Sequence, residues 1–353
     1  MQVRRLFAGS NGGRGFHPFF EHIIGGDARR VYLLKGGPGT GKSRLMKDLA
    51  QALEQEGFAL ELFFCSSDSR SLDAFACPKL GVAVIDATFP HVMEPKLPGC
   101  RDELVNLGAF WSKDALASQR EAIEAVGREK AAHFAAAFRY FAAALAVEEN
   151  TAARRRGEAV TCGSELEEIL KQVHWARQGR GQPSRARHLF ASALTPEGYV
   201  SEIGTLSAGL RRYILVGPPG CGQAERLALI LAQAELSGLA VEAFHYPLDP
   251  QRLQHLLIPE LNLAVLSETA LETLPPELEG ERIACCRQQE NRAEDRDTSL
   301  FRELVDLGIA ELQRAQSTHQ VVEQLYTAFM DFAAVDRLRE QMLAEILSYR
   351  NRS

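Results

Sequence analysis

Residues 36–43 read GGPGTGKS and satisfy the spacing G-x-x-x-x-G-K-[ST] in full. Each residue type has a chemical reason to be there. Gly36, Gly37, Gly39 and Gly41, with Pro38 and Thr40 between them, let the backbone curl so that successive N–H groups face phosphate oxygens. A helix opening near Lys42 would point its positive end at the same place. Lys42 would reach the β- and γ-phosphates, the Ser43 hydroxyl would take a Mg²⁺ position, and Arg44, next in the first turn, completes the candidate nucleotide-binding set Gly36–Arg44. Further on, VAVID (82–86) is an apolar run ending in a carboxylate. Asp86 is therefore placed to orient Mg²⁺, so Lys42 and Asp86 form the candidate catalytic pair, and Ser43 and Asp86 the candidate metal ligands. The chemistry implied is binding of Mg-ATP. No N-K-x-D run is present to read guanine, and Ala87 stands where many ATPases keep a water-activating glutamate.

A second loop lies at GPPGCGQA (217–224), with its glycines kept and its reactive groups gone. The offset, 217 − 36 = 181, aligns much more than the loop. It carries Tyr32 onto Tyr213, Glu61 onto Glu242, Phe63 onto Phe244, Asp68 onto Asp249, Pro78 onto Pro259 and LGVAV (80–84) onto LNLAV (261–265). Upstream, RRLFA (4–8) matches RHLFA (187–191), and downstream ELVNLG (103–108) matches ELVDLG (303–308). The chain reads as a tandem duplication, with units at 1–178 and 185–353 and the segment 177–184 as linker. At the matched positions Lys42 becomes Gln223, Ser43 becomes Ala224, Asp86 becomes Ser267 and Arg44 becomes Glu225. The second unit loses its cation, hydroxyl and carboxylate together, so its loop is expected to persist as architecture.

The elements that must position these groups follow from periodicity. Apolar runs at 31–34, 58–64 and 82–86, and at 239–244 and 263–267, read as strands alternating with helices. The expected fold class is α/β, two tandem P-loop NTPase-like domains with mostly parallel sheets flanked by helices. Each unit then turns helical. Residues 114–156 carry Leu116, Ile123, Phe134, Phe138, Phe141 and Leu145 at helical spacing, with 164–178 as the return partner; 299–316 and 319–350 match them in the second unit. Each unit is thus expected to bear a long helical hairpin, a surface for a protein partner or for self-association. CSSDSRSLD (65–73) lies at the carboxyl end of a strand and reads equally as a ligand site, with Ser66 and Asp68 as candidates and Arg70 facing phosphate, or as a polar capping turn, while His91 reads as a loop-packing residue with a lesser claim to catalysis.

Bulk properties narrow the function classes. A net charge of −6 over 353 residues argues against a general nucleic-acid binder, and Arg154–Arg156 reads as a helix end. Seven cysteines without C-x-x-C or zinc spacing read as reduced thiols of a cytoplasmic protein, with no signal peptide or membrane span.

GGPGTGKS, CSSDSRSLD, PKLGVAVIDATFPHVMEPKLPG and ELVNLGAFW occur in that order. In this series the chain resembles a bacterial family of tandem P-loop NTPases. The resemblance covers most of the chain and implies nucleotide binding at Gly36–Ser43 and Asp86. It implies no particular reaction. The apolar lead-in GFHPFFEHII is similar, at the level of fold, to RecA-like tandem ATPases. Three activities remain open: a Mg-dependent ATPase or nucleotide-dependent switch, a small-molecule or nucleoside-type kinase, and a nucleotide-stabilised scaffold.

Overall fold

A computed structural model describes residues 3–351, apart from 156, 158, 160–163, 177–182 and 287–295. Most of the expected linker, 177–184, lies outside the described residues, as do Arg156 and Cys162.

The first half contributes β1 (Arg4–Leu6), β2 (Gly9–Gly12), β3 (Gly15–Pro18), β4 (Arg30–Lys35), α1 (Lys42–Gln55), β5 (Glu61–Cys65), β6 (Asp68–Cys77), β7 (Val82–Asp86), β8 (Asp102–Asn106), α2 (Lys113–Ala117), α3 (Arg120–Arg155) and α4 (Ser164–Trp175). The second contributes β9 (Arg187–Leu189), β10 (Ser192–Thr195), β11 (Gly198–Ser201), α5 (Ile203–Leu206), β12 (Arg211–Val216), α6 (Gln223–Leu236), β13 (Glu242–His245), β14 (Leu253–Ile258), β15 (Leu263–Ser267), β16 (Glu281–Ala284), α7 (Arg296–Thr327) and α8 (Phe332–Ser348).

Two six-stranded sheets share one strand order, β1-β5-β6-β7-β4-β8 and β9-β13-β14-β15-β12-β16. Three of the five pairings in each sheet are parallel, and one strand in each, β6 or β14, runs antiparallel to its neighbours. The segment expected as a turn after β5 doubles back as β6, which runs antiparallel to both β5 and β7. The other three pairings, β1–β5, β4–β7 and β4–β8, are parallel. The fold is α/β in the broad sense, with parallel-containing sheets and helices.

Strand alternation sends side chains to two cores. On one face of the first sheet, Tyr32, Leu34, Phe75 and Val84 pack with Leu45, Met46 and Leu49 of α1. On the other, Val31, Leu33, Phe63 and Ile85 join Ile214, Phe244, Leu257 and Leu266 of the second sheet in one continuous cluster. The two sheets thus share a core on their inner faces. Their edges also meet: Phe7 and Phe190 exchange backbone hydrogen bonds of 3.0 Å in both directions. The β-hairpins β2–β3 and β10–β11 fuse into a four-stranded sheet through Asn11 opposite Leu194.

The helical arms correct the expected hairpins. Segment 114–156 is broken into α2 and a continuous α3 of 36 residues. Its partner along its length is α7 of the other half, not α4. Phe141 of α3 lies against Gly308 of α7, and His133 Nδ1 sits 2.7 Å from Glu311 Oε2. The apolar faces of the two arms, with Phe141, Leu145, Phe301, Val305 and Leu312, cover one another. Each arm then continues into a helix on the opposite half. Helix α4 packs on α6, and α8 packs on α1, where Val335, Met342 and Ile346 complete the first core.

One further expectation fails. Cys221 is disulfide-bonded to Cys286, although reduced thiols were expected throughout. A pair 65 residues apart has no spacing signature, because its proximity comes from the sheet topology.

Four of the nine histidines gather where the halves meet: His17, His22, His188 and His245. His188 Nδ1 lies 2.8 Å from His245 Nε2, and His245 Nδ1 lies 2.6 Å from the Pro250 carbonyl oxygen. Phe19 packs on His17, His22, His188 and His245. Burial lowers the pKa of all four, and His245, also facing the other three rings, is lowered to about 4. The nearby charges are Glu21 and Glu235, which oppose the shifts, and Arg187, which adds to that of His22. A base with a depressed folded-state pKa favours the unfolded chain wherever only the unfolded form takes up the proton. Stability is therefore expected to be full above pH 6.5 and to fall between pH 6.5 and 4. His245→Gln should flatten the dependence of the urea midpoint on pH across that window; an unchanged slope would show that these rings do not control it.

Candidate functional site

Strand β4 is buried on both faces and delivers the chain to the loop at Gly36. The turn needs left-handed backbone at Gly39 (φ 70°) and Gly41 (φ 84°), where a side chain would be strained. Helix α1 then starts at Lys42 with no acid in its first turn, leaving its N-terminal field unopposed within the helix.

The structure brings the sequence-derived residues together. Lys42 Nζ is 3.6 Å from Asp86 Oδ2 and donates to the carbonyl oxygens of Gly36 (2.6 Å) and Gly37 (2.8 Å). The Ser43 hydroxyl accepts from the Leu72 N–H at 3.0 Å. Asp86 Oδ1 accepts from Thr88 N–H at 2.9 Å, and Thr88 Oγ1 donates to Gly36 O at 2.9 Å. Thr40 Oγ1 braces the turn by donating to Gly37 O at 2.8 Å. Arg44 turns away: it is exposed and lies 3.8 Å from Asp48 on its own helix. As a donor set, one hydroxyl and one carboxylate beside a cluster of N–H groups fit a hard cation that takes its remaining ligands from phosphate and water. Among the described residues there is no group of three or more His, Cys, Asp or Glu able to hold a metal by itself.

Sequence reasoning missed two contributors. The first comes from the opposite half. A Cβ on Gly39 would lie 2.5 Å from the Glu323 carbonyl oxygen, and Thr327 Oγ1 is 3.4 Å from Gly39 O, so α7 rests directly on the loop. Trp111 lies against Gly37 and packs on Tyr326, while Ser112 and Asp331 tie both segments together through backbone bonds. The arms also bring His319 and Glu323 within the field of Lys42 and Lys130. Burial, then the cations Lys130 and Lys42, push His319 down to about 4. Periodicity identified these helices but carries no information about which loop they cover.

The second contributor is Asp73, 3% exposed, on β6 beside β7. Its Oδ2 lies 3.6 Å from His91 Nε2 and has no hydrogen-bond partner. Burial raises its pKa; the charge of His91 opposes this, that of Asp86 adds to it, and a hydrogen bond with the Cys65 thiol and the charge of Lys42 oppose it. His91 is itself buried, stacked on Phe20 with centroids 4.7 Å apart. The spacing signal was present, since Asp73 closes the segment read as a turn, but the strand that buries it was not recognised.

The second half repeats the frame without the charges. Gln223 Nε2 donates to Gly217 O (2.6 Å) and Pro218 O (3.3 Å), the same two carbonyl positions that Lys42 braces. A Cβ on Gly220 would collide with Ala152 of α3, so the opposite arm covers this loop as well. Glu225 occupies the first turn of α6. The glutamine keeps the structural duty of the lysine and drops the charge.

A family model for Nephrocystin 3, N-terminal, matches residues 17–77, a span that runs from the end of β3 through β6 and includes the whole first loop. This is a domain of NTPase-like proteins. Neither the curated proteins nor the solved structures include a match to this chain. Among the described residues no helix is long and apolar enough to cross a membrane. The chain is thus similar over residues 17–77 to the N-terminal region of Nephrocystin 3.

Proposed function

We propose that the chain is a tandem P-loop protein that binds Mg-ATP in its first half and hydrolyses it slowly as a nucleotide-dependent switch. The observation that carries this is the convergence of Lys42, Ser43 and Asp86 on one glycine loop, with Lys42 Nζ 3.6 Å from Asp86 Oδ2. Loop N–H groups and Lys42 would hold the phosphates, while Ser43 and Asp86 would hold Mg²⁺, whose charge offsets that developing on the transferred phosphoryl group. The switch reading rests on the arm. Lys42 must leave the Gly36 and Gly37 carbonyls to meet phosphate, and the same loop carries the weight of α7 at Glu323–Thr327. Phosphate binding and arm position therefore compete for one loop conformation.

Ligand that binds only the folded chain raises its melting temperature. At a hundredfold excess over Kd the gain is about 2.7 kcal/mol, a shift of a few degrees for a chain of this size. Mg-ATP at millimolar concentration is expected to give that shift, and ATP with EDTA a smaller one. No shift in a folded sample would remove the nucleotide reading.

A further inference from the structure

In the sheet register Ala74 of β6 faces Ile85 of β7, so the next pair along is Asp73 and Asp86, at the end of β7 where Lys42 meets the sheet. A second carboxylate thus stands next to the one assigned to Mg²⁺. It is buried, and one of its oxygens has no hydrogen-bond partner. A buried polar atom left without a partner costs free energy, so its retention calls for a use. The internal duplication supplies an independent comparison. The offset of 181 carries Asp73 onto Gln254 and His91 onto Glu272. There Gln254 Nε2 donates to Glu272 Oε2 at 2.8 Å and to Tyr199 OH at 3.0 Å, a neutral amide satisfied on both sides. The half that lost Lys42, Ser43 and Asp86 carries an amide in place of Asp73 and has its buried carboxylate at the His91 position instead, where Glu272 Oε2 lies 3.4 Å from His255 Nε2. Asp73 therefore varies with the phosphate chemistry and not with the strand frame, which both halves keep.

We propose that Asp73 is the proton acceptor for the water that attacks the γ-phosphoryl group, and that His91 is the positioning residue that holds its carboxylate. This rests on the reading of the first loop as an ATP-hydrolysing site. The water oxygen forms a bond to the γ-phosphorus as the bond from that phosphorus to the β,γ-bridging oxygen breaks. The bridging oxygen leaves with the electron pair on ADP, and the water proton passes to the Asp73 carboxylate. Asp86, holding Mg²⁺, is not free for that transfer. His91 is fixed by stacking on Phe20 and by its approach to Phe16, with ring centroids 5.2 Å apart, and presents Nε2 to Asp73.

A positioned general base contributes about 10²- to 10⁴-fold. The test measures single-turnover hydrolysis of preloaded Mg-ATP and, separately, the Kd of a fluorescent ATP analogue, in wild type, D73N and H91Q. For D73N the hydrolysis rate is expected to fall at least about 100-fold with Kd within threefold of wild type. For H91Q kcat should fall about tenfold with KM unchanged, since it acts through Asp73. Wild-type hydrolysis that survives in D73N within threefold overturns this proposal alone. Wild type that binds the analogue without hydrolysing ATP overturns the ATPase reading, and this proposal with it. If D73N fails to fold, H91Q decides, and an unaltered kcat there overturns the assignment.

Discussion

Lys42→Ala is expected to lower phosphate release from ATP by at least about 100-fold, the scale on which a single positioned charge stabilises a phosphoryl-transfer transition state. The lysine has two duties that one substitution confounds, because its Nζ also braces the loop by donating to Gly36 and Gly37. The second half shows how to separate them. Gln223 makes the same two backbone contacts without a charge. Lys42→Gln should therefore keep the melting temperature of the unliganded protein while losing turnover as fully as Lys42→Ala. Gln223→Lys in the Lys42→Ala background should restore nothing, since Ala224 and Ser267 supply no metal ligands and Glu225 opposes phosphate at the helix start. The assay is steady-state phosphate release. Turnover above about a tenth of wild type in Lys42→Gln would place the chemistry elsewhere.

Glu61→Ala should cost about 3 kcal/mol of stability, the largest single loss expected outside the hydrophobic cores. The residue belongs to a reciprocal quartet across the junction of the halves. Arg4 reaches Glu61 at 2.6 Å and Glu242 at 2.6 Å, while Arg187 reaches Glu61 at 2.7 Å and Glu242 at 3.5 Å. Burial works against the charge of Glu61, and the two guanidiniums outweigh it, holding the carboxyl below its ordinary range. Truncating it leaves two cations sharing the one carboxylate of Glu242 in a largely dehydrated junction. The figure sits at the low end for a broken buried pair because each arginine side chain keeps about a quarter of its surface in water, 26% and 25%. Urea unfolding at pH 7 reads the change directly. A loss under about 1 kcal/mol would mean that the quartet is screened like a surface pair.

The parts legible in the sequence are those whose signal is local. GGPGTGKS followed by a 3.6-residue pattern gave the loop and α1, and VAVID gave β7 with Asp86 at its end. The offset of 181 anticipated two sheets of one strand order. What was not legible depends on distant partners. Residues 72–77 of β6 are all buried, so the strand lacks the alternation that marks a half-exposed one, and its polar start reads as a turn. Helical spacing in 120–155 announces an apolar face but not what covers it, and α4 was the nearer candidate in sequence. Cys221 and Cys286 meet only because the chain after β16 returns past the second loop. Arg44 adjoins the phosphate-binding residues in sequence, but the helix turns its side chain away to Asp48.

The crossing of the arms sets an order of events during synthesis. Helix α1 begins at Lys42, but α8, which covers it with Val335, Met342 and Ile346, begins at Phe332. At about 5–20 residues per second, tens of seconds separate the emergence of the two. The inner face of the first sheet stands bare until the second sheet, which ends at Ala284, has emerged, and the outer face of α1 stands bare for longer still. A nascent chain of this design therefore has a long window in which a holding chaperone can bind it. A ribosome stalled anywhere before residue 332 leaves the intact loop attached to an unfinished core.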